Sequence, residues 1–123
     1  MDFDKMVENA KKRIASGKKT FKKEELQSMR GIFDRFYLGN KGYIDKAVYD
    51  KARKSAKSMG ELMIDTIEFL NGEISRLEKK RRKLPLDNLQ LREAQKAYET
   101  SLRFVREFLK EIEVPQGAEE GKG

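Results

Sequence analysis

Five consecutive cations, Lys79, Lys80, Arg81, Arg82 and Lys83, form the densest chemical signal in the chain. Such a run holds anions, and phosphate is the foremost candidate, because each neutralised phosphate releases condensed counterions whatever the base sequence. Cations at the end of a helix also offset its macrodipole, but one or two charges suffice for that. Phosphate contact, a solvated turn and an anionic membrane surface are therefore the readings to weigh for this cluster.

A second basic set, Lys11, Lys12, Arg13, Lys18, Lys19, Lys22 and Lys23, brackets the first interhelical turn. A third comprises Lys46, Lys51, Arg53, Lys54 and Lys57. Solvated helix faces normally interleave acids, yet residues 51–57 contain none, so a continuous basic face is expected there. The net charge of +7 is unevenly placed: residues 1–60 hold 16 Lys and Arg against 8 acids, whereas residues 84–123 hold 6 against 8. The residues expected to meet nucleic acid are Lys18, Lys19, Lys22, Lys23, Lys51, Arg53, Lys54, Lys57 and the run from Lys79 to Lys83.

The chain has neither cysteine nor histidine. A disulfide framework, a thiolate metal site, the commonest zinc ligand and the commonest general base are thereby excluded. The expectation is a protein that is not an enzyme and needs no metal or cofactor. There is no Gly-rich phosphate loop and no helix-turn-helix signature, so backbone contact is favoured over base reading. The stretch from Phe33 to Asp45 resembles an EF-hand loop in its Gly42-Tyr43-Ile44-Asp45 ending. Aligning Gly42 with the loop glycine puts Tyr37, Gly39, Lys41 and Val48 where oxygen ligands belong, so the resemblance implies no calcium. Phe33, Phe36, Tyr37, Tyr43 and Tyr49 could stack on exposed bases, but Phe33 and Phe36 lie on an apolar stripe that suits core packing better, which leaves Tyr37 and Tyr43 as the surface candidates.

Helices must position these groups. Phe3, Met6, Val7, Ala10 and Ile14 recur at three- and four-residue spacing and predict a first helix ending near Ser16-Gly17. Thr20 is the expected N-cap of a second helix whose stripe is Leu26, Met29, Phe33 and Phe36, ended by Gly39 and Gly42. Asp45 should cap a third, with Val48, Ala52, Ala56, Met59, Met63, Ile67, Leu70, Ile74 and Leu77 repeating in phase to about Lys83. Unbroken, that helix would reach roughly 58 Å. Against continuity stand Gly60, Gly72 and a Ser58–Glu61 capping box, which leave open a break near Ser58. Proline 85 stops the run, and Asp87, with Gln90 as box partner, is expected to cap a last helix striped by Leu91, Ala94, Tyr98, Leu102, Val105, Leu109 and Ile112.

The predicted fold is all-α, with four to five helices: an elongated, coiled-coil-like antiparallel hairpin with the N-terminal helices packed on it. Residues 1–115 read as one domain and 116–123 as a disordered tail. No apolar run is long enough to cross a bilayer, so a cytoplasmic protein is expected, and the Lys- and Glu-rich composition leans toward a thermophilic source. The leading functional expectation is a helical subunit gripping RNA or DNA by its phosphates, as a homodimer or within a larger assembly. The alternative is a protein-binding adaptor or regulator whose lysines serve solubility; a mobile-element or viral origin suits both.

Overall fold

In a computed structural model, residues 2–113 are described and form five helices with no strand among them. The tail expected at 116–123 lies outside these residues. Helix α1 (Phe3–Ser16) turns Val7, Ala10 and Ile14 inward, as the spacing predicts. Helix α2 (Lys23–Leu38) buries Met29, Ile32, Phe33 and Phe36. Its cap is not Thr20. The Glu25 carboxylate accepts the Lys22 amide at 2.9 Å and also pairs with Lys18, so the first turn is satisfied from inside the helix.

The long third helix is divided. Helix α3 (Lys46–Ala52) stops after two turns and α4 (Ala56–Glu78) starts anew, with residues 53–55 between them. Ser55 caps α4 by accepting the Ser58 amide at 3.2 Å, and Ser58 Oγ donates back to the Ala52 carbonyl at 2.9 Å. The Arg30 guanidinium donates to the Arg53 carbonyl at 3.1 Å. Orphan groups on both sides of the break thus find side-chain partners, which is why it needs neither glycine nor proline. Apolar phase survives the break, since Ala52, Ala56 and Met59 are all buried, but Val48 is left 46 % exposed, contrary to its place in the expected stripe. With 23 residues, α4 spans about 35 Å rather than 58 Å.

Helix α5 (Pro85–Ile112) begins with proline at its first position, where the missing amide costs nothing. Asp87 lies inside the first turn rather than at the cap, and its carboxylate accepts from the Leu84 amide and from Lys80, each at 2.9 Å. The buried face of α5 is Ala94, Ala97, Ser101, Val105, Phe108, Leu109 and Ile112. Leu91, Tyr98 and Leu102, expected inside, are only half-buried.

Helices α4 and α5, joined by residues 79–84, make the most extensive helix pair, with α1 and α2 packed on both. Gly60 permits the closest crossing: a Cβ there would stand 3.0 Å from Ile14 Cδ1 and 3.3 Å from Phe108 Cε1. The core gathers Met29, Phe33, Phe36, Met59, Ile67 and Phe108 among others. Asn40, 1 % exposed, fastens the end of α2 to α5 by donating to the Phe36 carbonyl and to Ser101 Oγ.

Candidate phosphate-binding surface

The expected contact residues fall into two basic poles at opposite ends of α4. At the first, Lys18 and Lys19 of the α1–α2 connector meet Lys54 of the α3–α4 junction and Lys57 of the first turn of α4 around a cavity of about 420 Å³. Local chemistry fixes this convergence. The Lys18 amide donates to the Ile112 carbonyl at 2.9 Å, which ties the connector to the end of α5. Ser55, capping α4, sets the turn from which Lys54 and Lys57 project. Lys18 is shared with Glu25, whose carboxyl its ammonium, followed by the Lys22 amide, holds below the ordinary value. Lys19 Nζ donates to the Ala15 carbonyl. Lys54 and Lys57 are exposed and have no ion-pair partner among the described residues. Lys22 and Lys23, both exposed, continue this end of the molecule toward α2.

The second pole is the run 79–83. These cations do not project around a helical cylinder, because α4 ends at Glu78 with Lys79 as its C-cap, and the rest occupy the turn into α5. Lys80 is engaged with Asp87, whose carboxyl is held below its ordinary value by the Leu84 amide first and Lys80 second. Lys79, Arg81, Arg82 and Lys83 are exposed and have no ion-pair partner among the described residues.

The continuous basic face expected across 51–57 is not formed. Arg53 turns onto α2 and grips Asp34 through two bonds, at 2.8 and 2.9 Å, while the Tyr49 hydroxyl donates to the same carboxylate. The acid missing from 51–57 in sequence is supplied by another helix. Lys46 pairs with Asp50 on α3 itself, and Lys51 remains exposed. Around the α4 axis Lys57 and Lys79 stand about 40° apart, at roughly 100° per residue, but Glu61 and Glu68 occupy that side between them. Lys11 pairs with Glu68 at 3.3 Å. The two poles are therefore separate, about 35 Å apart along α4.

The aromatic cluster is structural. Tyr37 and Tyr49 stack at 4.0 Å between centroids, and Phe33 adds a further face to Tyr49 at 5.3 Å. Tyr43 leans on Phe69 at 6.2 Å. Sequence reading passed over Phe21, a half-buried aromatic lining the first cavity, although a lone phenylalanine between Lys18-Lys19 and Lys22-Lys23 was a usable signal. The 680 Å³ groove between the α2–α3 turn, α4 and α5 mixes Glu73 and Glu93 with Arg76 and Lys96, and it holds none of the expected contact residues. Among the described residues no group of three or more acidic side chains could hold a metal ion, and no helix is long and apolar enough to cross a membrane. No protein-family model, curated protein or solved structure matches the chain.

Proposed function

We propose that this protein is a non-catalytic helical subunit that binds RNA or DNA through phosphate contacts, without reading sequence, and works as a homodimer or within a larger nucleoprotein assembly. In this reading α4 and α5 act as an antiparallel hairpin that holds the two basic poles apart. The supporting observation is the convergence of Lys18, Lys19, Lys54 and Lys57, from segments far apart in sequence, on a cavity with no acid among its lining residues. Structural needs account for Lys80 and Arg53, which have acidic partners, but not for Lys54, Lys57, Lys79, Arg81, Arg82 or Lys83.

Fluorescence anisotropy with single-stranded RNA, single-stranded DNA and duplex DNA tests this, at about 50 and 200 mM salt. Three phosphate contacts predict an affinity loss of roughly twentyfold to fortyfold across that range. The second pole is best probed by Arg81→Glu, Arg82→Glu and Lys83→Glu together, leaving Lys80 in place because its reversal would face Asp87 and weaken the start of α5. Absence of binding at the lower salt would refute the proposal.

A second reading, a protein-binding adaptor, draws on a different feature. Leu84, Leu86 and Leu89, at the start of α5, are 63, 61 and 45 % exposed, an apolar patch beside the basic turn. Under this reading Leu86→Ser with Leu89→Ser abolishes association, measured by sedimentation, without changing helicity.

A further inference from the structure

We propose that the cavity at the first pole seats one unpaired nucleotide of a single strand, with the phosphate held by Lys54 and Lys57 and the base resting on Phe21. This rests on the nucleic-acid reading and names the ligand class. The cavity, about 420 Å³, falls in the size range of small-molecule pockets. Its lining divides by chemistry: the four lysines supply the charge, and apolar side chains including Ile14, Phe21 and Ile112 supply the remainder. A site for phosphate alone needs no apolar wall; a nucleotide, charged at one end and planar and weakly polar at the other, needs both.

The lysines are not equivalent. Lys18 is paired with Glu25 and lies 5.9 Å from the Phe21 ring centroid, and Lys19 is bonded to the Ala15 carbonyl. Glu25, paired with Lys18, repels phosphate from that lysine, so the anion is directed to Lys54 and Lys57, which have no acidic partner among the described residues. Phe21 is half-buried, packed against the core while lining the cavity. A base seated in the cavity would contact Phe21, and base–aromatic stacking strengthens binding roughly fivefold to a hundredfold. Duplex nucleic acid, its bases paired and stacked, offers this cavity only phosphate and sugar, so the pocket favours single strands.

The test compares the full chain's affinity for an oligothymidylate, an abasic strand of the same length and a duplex. Three proteins are used: the unsubstituted chain, Phe21→Leu, and Lys54→Glu with Lys57→Glu. The unsubstituted chain is expected to prefer the intact strand over the abasic one by at least about fivefold. Phe21→Leu, which keeps apolar bulk, should bring that ratio close to one. The double reversal should weaken binding of the intact strand at least about tenfold, since two cations near phosphate become anions. Equal affinity for intact and abasic strands overturns the nucleotide seat, as does a double reversal without effect, while salt-sensitive duplex binding would still uphold the nucleic-acid reading. No binding of any probe overturns both. Should Phe21→Leu fail to fold, by circular dichroism, the abasic comparison and the lysine variants still decide.

Discussion

Replacing Gly17 by alanine should destabilise the protein and loosen the first basic pole together. Backbone conformation is not the reason, since φ is −73° and any residue can adopt it. The reason is space. A Cβ at this position would lie 2.7 Å from the Ile112 carbonyl oxygen, 3.0 Å from Ile112 Cγ1 and 3.1 Å from the Arg13 carbonyl oxygen. The nearest approach falls about 0.7 Å short of the 3.4 Å at which ordinary contact begins, and two of the three obstacles are backbone. Overpacking of this kind costs about 1–3 kcal/mol. Moving the Ile112 carbonyl also strains its bond with the Lys18 amide, worth about 1 kcal/mol. Alanine returns about 0.4–1 kcal/mol by restricting the unfolded chain. The net expectation is about 2 kcal/mol of destabilisation, or a fall in Tm of roughly 8 °C at about 4 °C per kcal/mol for a chain of this size. Gly72→Ala is the matched control. It lies within α4, a Cβ there meets nothing within 4 Å, and helix propensity predicts a gain of about 1 kcal/mol. Thermal and urea unfolding followed by far-UV circular dichroism measures both. A Gly17→Ala protein as stable as the unsubstituted chain, or two glycine variants shifting in the same direction, would refute the argument from space.

The ion pair that closes off Arg53 predicts a pH dependence. The Arg53 guanidinium, helped by the Tyr49 hydroxyl, holds the Asp34 carboxyl below its ordinary 3.8, so its contribution is full above that value and is lost as pH falls through the lower folded value. Asp34→Asn should cost about 1 kcal/mol at neutral pH after solvent screening, and its deficit should shrink on acidification below about pH 4, read from urea midpoints. Leu70→Ala, at a fully buried site, should cost about 2–5 kcal/mol in the same assay, whereas Leu102→Ala, at a half-buried one, should cost markedly less.

How much was legible is clearest in α4. Spacing alone places Ala56, Met59, Met63, Ile67, Leu70 and Leu77 on the buried face, because burial on one helix face imposes a period that other signals rarely imitate, whereas Ile74 is only half-buried and Ile64, off the expected stripe, is buried. The break left open near Ser58 falls at residues 53–55, and spacing alone could not decide it because its partners, Ser58 and Arg30, act across the loop and from another helix. On α5 the three- and four-residue spacing from Leu91 to Ile112 omits part of the face turned inward, which includes Ala97 and Ser101, small residues that let α4 and α2 come close. Phe108, passed over in that stripe, fills the space beside Gly60.

The sequence by itself determined that this chain is helical, along which segments its apolar periodicity runs, and that its cations are in surplus, since composition and periodicity are properties of the chain alone. Only the tertiary structure decided which cations are spent on neighbours. Arg53 is taken by Asp34, Lys80 by Asp87 and Lys18 by Glu25, while Lys54 and Lys57 join the Lys18–Lys19 connector over an apolar cavity. Charge pairing acts through a few ångströms of space, and distance along the chain says little about it.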